Sequence, residues 1–189
     1  MIEMSPYSHL CGDPEMCHWF PLRIAYSNVS RLMKLKELLD HEEGVMDTFV
    51  PMEYRIQNFH QALLPAISNL IFVYVSYDNL KRIKANKVVY EPLRYIMNPS
   101  QSEAVYVPEQ QMQDFIKVTS DKNARLLYLD NLEFACKPGQ QVQIVEGVFA
   151  GVKGVVKRIK GNSCVVIPIK DVAAVAIQGV PRRHLLYLE

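Results

Sequence analysis

Residues 140–161, QQVQIVEGVFAGVKGVVKRIKG, restrict the possible fold more than any other stretch of this chain. Val142 and Ile144 alternate with polar neighbours, the period-2 pattern of a half-buried strand. Gly147, Gly151 and Gly154 then space a turn where side chains would obstruct the backbone. Val155, Val156 and Ile159 resume the apolar pattern among Lys157, Arg158 and Lys160. Gly161-Asn162 turns the chain into Cys164-Val165-Val166-Ile167, which reads as a hairpin. The β-branched content and glycine turns argue for a barrel over residues 137–189 and against any stable helical form.

Upstream, the pattern mixes helix and strand. Residues 1–17 carry Pro, Gly and mixed polarity without periodicity, as expected of a loose tail. His18–Tyr26 reads as a strand, with Pro21 pointing to an edge or a bulge. Ser27-Asn28 offers a helix cap, and Val29, Leu32, Met33, Leu35, Leu38 and Leu39 mark an apolar stripe that stops near Gly44. Arg31, Lys34 and Lys36 lie off that stripe. Met46–Ile56 reads as a strand interrupted at Pro51, and 58–68 as a loop or hairpin tip. Asn69–Val75 (NLIFVYV) is the strongest strand of this half. Tyr77–Lys87 reads as a helix, Val88–Met97 as a strand and Pro108–Val118 as a final helix. Residues 119–136 lack periodicity, and Lys137-Pro138-Gly139 makes a natural domain start. The expectation is an α+β fold: an N-terminal sheet with flanking helices over 18–118, a linker over 119–136 and a small all-β barrel over 137–189.

Charge is unevenly spread. Residues 137–189 hold eight Lys or Arg against three acids, a net of +5, so with +1 overall the rest carries −4. Such asymmetry points to different partners for the two halves. No apolar run approaches the ~18 residues that cross a bilayer, and the N-terminus lacks a signal-peptide layout. A cytoplasmic protein with no membrane partner is expected. The four cysteines show no disulfide-like spacing, so reduced thiols are expected.

With these elements placed, the chain resembles the NusG family of transcription elongation factors, which pair an N-terminal NGN domain with a C-terminal KOW domain. Trp19-Phe20-Pro21-Leu22-Arg23 is similar to the family's opening strand. Thr48-Phe49-Val50-Pro51-Met52 resembles a short proline-containing segment, and Asn69-Leu70-Ile71-Phe72-Val73 its central strand. Gly139–Gly161, with Gly147, Phe149, Gly151 and Gly154, resembles the KOW consensus. Within the family the divergent loop and N-terminal tail are most like the specialised UpxY-like and RfaH-like antitermination paralogues.

The resemblance implies a set of partners. Arg23, Leu70 and Phe72 would meet a two-helix coiled coil of RNA polymerase, the clamp helices. Lys81 and Arg82 would touch a polymerase loop opposite the clamp, and Arg31 and Lys34 would reach non-template DNA. Phe149, an aromatic between glycines, would contact a second factor, a small-subunit ribosomal protein or Rho. Each residue also has a plainer reading. Residues 69–75 alternate between two sheet faces, and helices on both would leave no docking surface. Arg31, Lys34, Lys81 and Arg82 also fit solvated helix faces, and Phe149 also fits a side chain folded over the barrel mouth.

Catalytic and metal motifs do not emerge. Cys11, Cys17 and His18 lack a second half at zinc spacing, and Gly151-Val152-Lys153-Gly154 lacks the ending of a phosphate loop. A non-enzymatic protein without cofactor or metal is expected. The competing reading is a ribosome- or RNA-associated KOW protein whose basic module binds RNA directly.

Overall fold

A computed structural model describes residues 17–25, 28–57, 59–98, 103–129, 139–169 and 172–188. The expected tail up to residue 16, Ser27 and the linker from residue 130 onward lie outside the described residues. The chain divides into two units, residues 1–51 with 63–109, and residues 52–62 with 110–189.

The first unit is built on a four-stranded antiparallel sheet. Strand β1 (Cys17–Ile24) lies between β5 (Leu70–Ser76) and β6 (Leu93–Tyr95), and β2 (Val45–Phe49) borders β5 on its far side. The β1–β5 register sets Trp19 opposite Tyr74, Pro21 opposite Phe72 and Arg23 opposite Leu70. Pro21 therefore occupies an inner strand, not an edge. On its other side it falls between the Leu22–Tyr95 pair and the Trp19–Val107 bridge, where a missing N–H disturbs neither.

Helix α1 (Val29–Asp40) begins as expected. The Asn28 side chain caps it by accepting from the Arg31 N–H at 3.1 Å. Leu32, Leu35 and Leu39 are buried along one stripe that packs on β2 and β5. The helix yields to a turn at Gly44, whose φ of +79° suits glycine. Helix α2 (Tyr77–Ala85) is capped by Ser76 and buries Leu80 and Ile83. The segment Val88–Met97, read as one strand, differs in the structure. Asn86 accepts from the Val89 N–H at 3.4 Å and starts a short helix α3 (Lys87–Tyr90), leaving only Leu93–Tyr95 for the sheet. Met52–Gln57 (β3) and His60–Pro65 (β4) form a separate two-stranded ribbon. The second arm of that ribbon occupies the stretch read as a loop or hairpin tip.

The second unit holds most of helix α4 (Glu109–Thr119) and a six-stranded antiparallel sheet. Its strands are β7 (Leu126–Leu129), β8 (Gln140–Ile144), β9 (Lys153–Ile159), β10 (Asn162–Ile169), β11 (Ala173–Gln178) and β12 (Leu185–Tyr187), in the order β12-β8-β9-β10-β11-β7. The expected closed barrel is corrected here: among the described residues the sheet is open. Leu126–Leu129, in a stretch read as aperiodic linker, takes the outer edge of β11, and β12 is three residues long and pairs with β8. The strand–turn–strand order read over 140–161 holds, but Gly154 lies inside β9 and the closing turn is Lys160-Gly161, since Asn162 already pairs with Ile159. Gly147 and Gly151 sit at φ +86° and +94°. Gly154 lies under β10, where a Cβ would meet the Val166 carbonyl oxygen at 2.7 Å. One face of β9–β11 packs Ile159, Cys164, Val166, Ala174 and Ala176 against Leu127 and Leu129.

Candidate interaction surfaces

The residues assigned to polymerase contact separate into three environments. Leu70 and Phe72 are 0% exposed, as are Ile71 and Val73 of the same strand. Phe72 contacts Phe49 with ring centroids 6.4 Å apart. β5 is thus buried on both faces, and neither Leu70 nor Phe72 offers a side chain to a partner. Period-2 alternation told which residues share a face but not that both faces are covered. Arg23 is half-buried, and its Nη1 donates to Asn69 Oδ1 at 2.7 Å, tying the two motif strands together.

Lys81 and Arg82 both stay exposed yet do different things. Lys81 Nζ stands 4.2 Å over the ring of Tyr77, a cation–π contact. Arg82 Nη1 donates to Glu42 Oε1 at 3.2 Å, and its Nη2 donates to the Glu43 carbonyl. Glu42 in turn accepts from the hydroxyl of buried Tyr90 at 2.7 Å. Arg82 therefore locks the turn after α1 to α2. Burial, joined by this bond to a carboxylate, pushes the Tyr90 phenol well above its ordinary range.

Arg31 and Lys34 are exposed on α1, one turn apart, and neither pairs with an acid among the described residues. They satisfy the geometry for reaching a phosphate and equally that of a solvated face.

In the second unit Phe149 is half-buried, not displayed. Its carbonyl accepts from the Val152 N–H at 3.1 Å inside the glycine turn. The most exposed apolar residue of the loop is its neighbour Val148, 70% exposed. The loop is further held by α4: Lys117 Nζ donates to the Ala150 carbonyl at 2.6 Å, and the Lys153 N–H donates to Asp114 Oδ2 at 3.3 Å. No sequence motif announces this latch, although Asp114 on an otherwise apolar helix stripe with Met112, Phe115 and Val118 is the signal available. The β3–β4 ribbon was also missed as a surface. Ile56 and Phe59 are 84% and 101% exposed there.

Among the described residues no three His, Cys, Asp or Glu side chains gather as a metal site, and no helix is long and apolar enough to cross a membrane. Neither a family model nor a curated protein matches the chain. One solved structure it is similar to is described as "Domain interaction in Thermotoga maritima NusG", at 15% identity and a TM-score of 0.47, covering 94% of this chain and 100% of that one.

Proposed function

We propose that this protein is a NusG-like, non-enzymatic transcription elongation factor. Its first unit binds RNA polymerase and favours the elongating state by differential binding. Its second unit, through the glycine loop around Val148 and Phe149, recruits a further factor, with antitermination on particular operons as the outcome. The observation that carries this reading is the placement of two sequence motifs. Trp19–Arg23 and Asn69–Val73 are adjacent, in-register antiparallel strands joined by the Arg23–Asn69 hydrogen bond. In this reading Leu70 and Phe72 shape the strand from within, and polymerase meets exposed groups of the unit, among them Lys81 on α2.

The test is retention of purified protein on immobilised RNA polymerase. Wild type is expected to be retained, and Lys81→Glu to weaken retention while leaving the melting temperature unchanged. Absence of retention by the wild type would discard the reading. If the full chain instead binds RNA with a steep salt dependence while polymerase is ignored, the RNA-associated alternative takes its place.

A further inference from the structure

The β3–β4 ribbon belongs to neither large sheet, and among the described residues no third strand borders it. A two-stranded ribbon is marginal in water by itself, and three or more strands with an apolar face make the usual stable unit. Alternation along β3 puts Met52, Tyr54 and Ile56 on one face and Glu53 and Arg55 on the other. On the apolar face Tyr54 is 44% exposed and Ile56 84%. Lys122 Nζ stands 5.8 Å from the centre of the Tyr54 ring, and Ile56 beyond it is uncovered.

Open strands are commonly protected by proline, lysine or excess charge. Strand β3 has no proline or lysine, and its one acid and one cation cancel, Arg55 Nε donating to Glu53 within the strand. Its order of residues is also complementary to itself. A second copy of β3 can be laid antiparallel beside the first, about a two-fold axis at Tyr54 perpendicular to the ribbon. Each face then meets the same face of the second copy. Tyr54 stands opposite Tyr54, Met52 opposite Ile56, and Glu53 opposite Arg55, the last two pairs each occurring twice. One face gains a continuous apolar strip and the other gains two cross-strand ion pairs. Moving the axis to Glu53 sets carboxylate against carboxylate, and moving it to Arg55 sets cation against cation, both unfavourable. Axes further out pair fewer of the six residues.

We propose that β3 is a self-association strand, through which two copies of this chain join edge to edge about Tyr54 into a four-stranded sheet ordered β4-β3-β3-β4. A strand of another protein would have to reproduce this order of apolar and charged residues, which a second copy supplies unaltered. Six residues a side make a small interface, so the dimer is weak and forms as concentration rises. The inference does not rest on polymerase binding.

The experiment is analytical ultracentrifugation of the full chain from about 5 to about 500 µM, which brackets a weak, micromolar association. Wild type should pass from monomer to dimer and stop there, because a two-fold contact closes on itself. Glu53→Arg alone and Arg55→Glu alone each set like charges opposite one another and should weaken the dimer by about tenfold or more. Mixed in equal amounts, the same two variants should form a heterodimer about as tight as the wild-type dimer. Every cross-strand pair is then of opposite charge, although neither chain can form the ion pair within its own strand. Ile56→Ser, at an exposed position, should also weaken association while leaving the melting temperature unchanged. The proposal is overturned if wild type stays monomeric throughout, or if the single charge variants or Ile56→Ser dimerise as wild type does. It is equally overturned if the mixture of the two folded charge variants stays monomeric. No polymerase is present in the assay, so its failure and that of the elongation reading are separable.

Discussion

Two tyrosines show how one residue type takes opposite roles according to its partner. The Tyr90 hydroxyl is buried and bonded to Glu42, itself paired with Arg82. Tyr90→Phe removes a hydrogen bond to a charged group and is expected to cost about 1.5–3 kcal/mol in denaturant unfolding. Tyr128, on β7, has a buried hydroxyl with no hydrogen-bond partner among the described residues. Tyr128→Phe removes an unsatisfied group and should be neutral or stabilise by up to about 1 kcal/mol. Both phenols also couple stability to pH. Burial pushes Tyr128 up to about 12, and Tyr90 is raised in the same sense, above the 10.0 of an ordinary phenol. A folded-state pKa above the unfolded one means the unfolded chain releases its proton first as pH rises. The stability contribution is thus complete below pH 10.0 and is lost progressively above it toward the folded values. Melting curves between roughly pH 9 and pH 11 should show wild type losing stability more steeply than either Phe variant. Parallel curves would mean that neither phenol is shifted.

At the scale of elements, the glycine loop is held from outside its own hairpin. Asp114 and Lys117 lie on α4 and fix Lys153 and Ala150, one at each end of the turn's second half. Asp114→Ala leaves the Lys153 N–H without its acceptor and should open the loop. Hydrogen exchange in peptides covering 147–153 is expected to rise about tenfold, the factor that corresponds to roughly 1.4 kcal/mol, whereas Asp114→Asn, which keeps an acceptor, should change it little. Unchanged exchange in Asp114→Ala would show that the turn is self-supporting. Elements also show what was legible in the sequence. The α1 stripe, the NLIFVYV strand and the glycine turn were readable because each is fixed by local periodicity or backbone conformation. Strand β7 was not, because LLYL is half-buried and becomes a strand through pairing with β11, some 50 residues away in sequence. The roles given to Leu70 and Phe72 failed for a related reason. Alternation assigns faces, but what covers a face is decided by tertiary packing. Phe149 likewise read as exposed from its glycine neighbours, while the turn's own hydrogen bonds draw it in and leave Val148 outside.

For the whole molecule, the consequence lies in where the second unit begins. Sequence punctuation at Lys137-Pro138-Gly139 invites a cut there, yet residues 110–129 group with the strands that follow. Without β7, strand β11 would expose Ala174–Ile177, four buried residues, with their outer backbone groups unpaired. Leu127 and Leu129 would also leave the Ile159–Cys164–Val166 cluster half covered. A flat apolar edge of this kind pairs with other chains. The fragment 137–189 should therefore show strand-type far-UV circular dichroism yet associate with rising concentration. The fragment 110–189 should remain monomeric and melt at a higher temperature. Sedimentation and melting of the two side by side decide the matter. A 137–189 fragment that is monomeric and melts with 110–189 would show that the five C-terminal strands are self-sufficient and that β7 is an ornament to their edge. A higher melting point for the longer fragment would show the opposite. The basic segment that looked like a free-standing module would then owe its integrity to a helix and a strand encoded on the far side of its apparent linker.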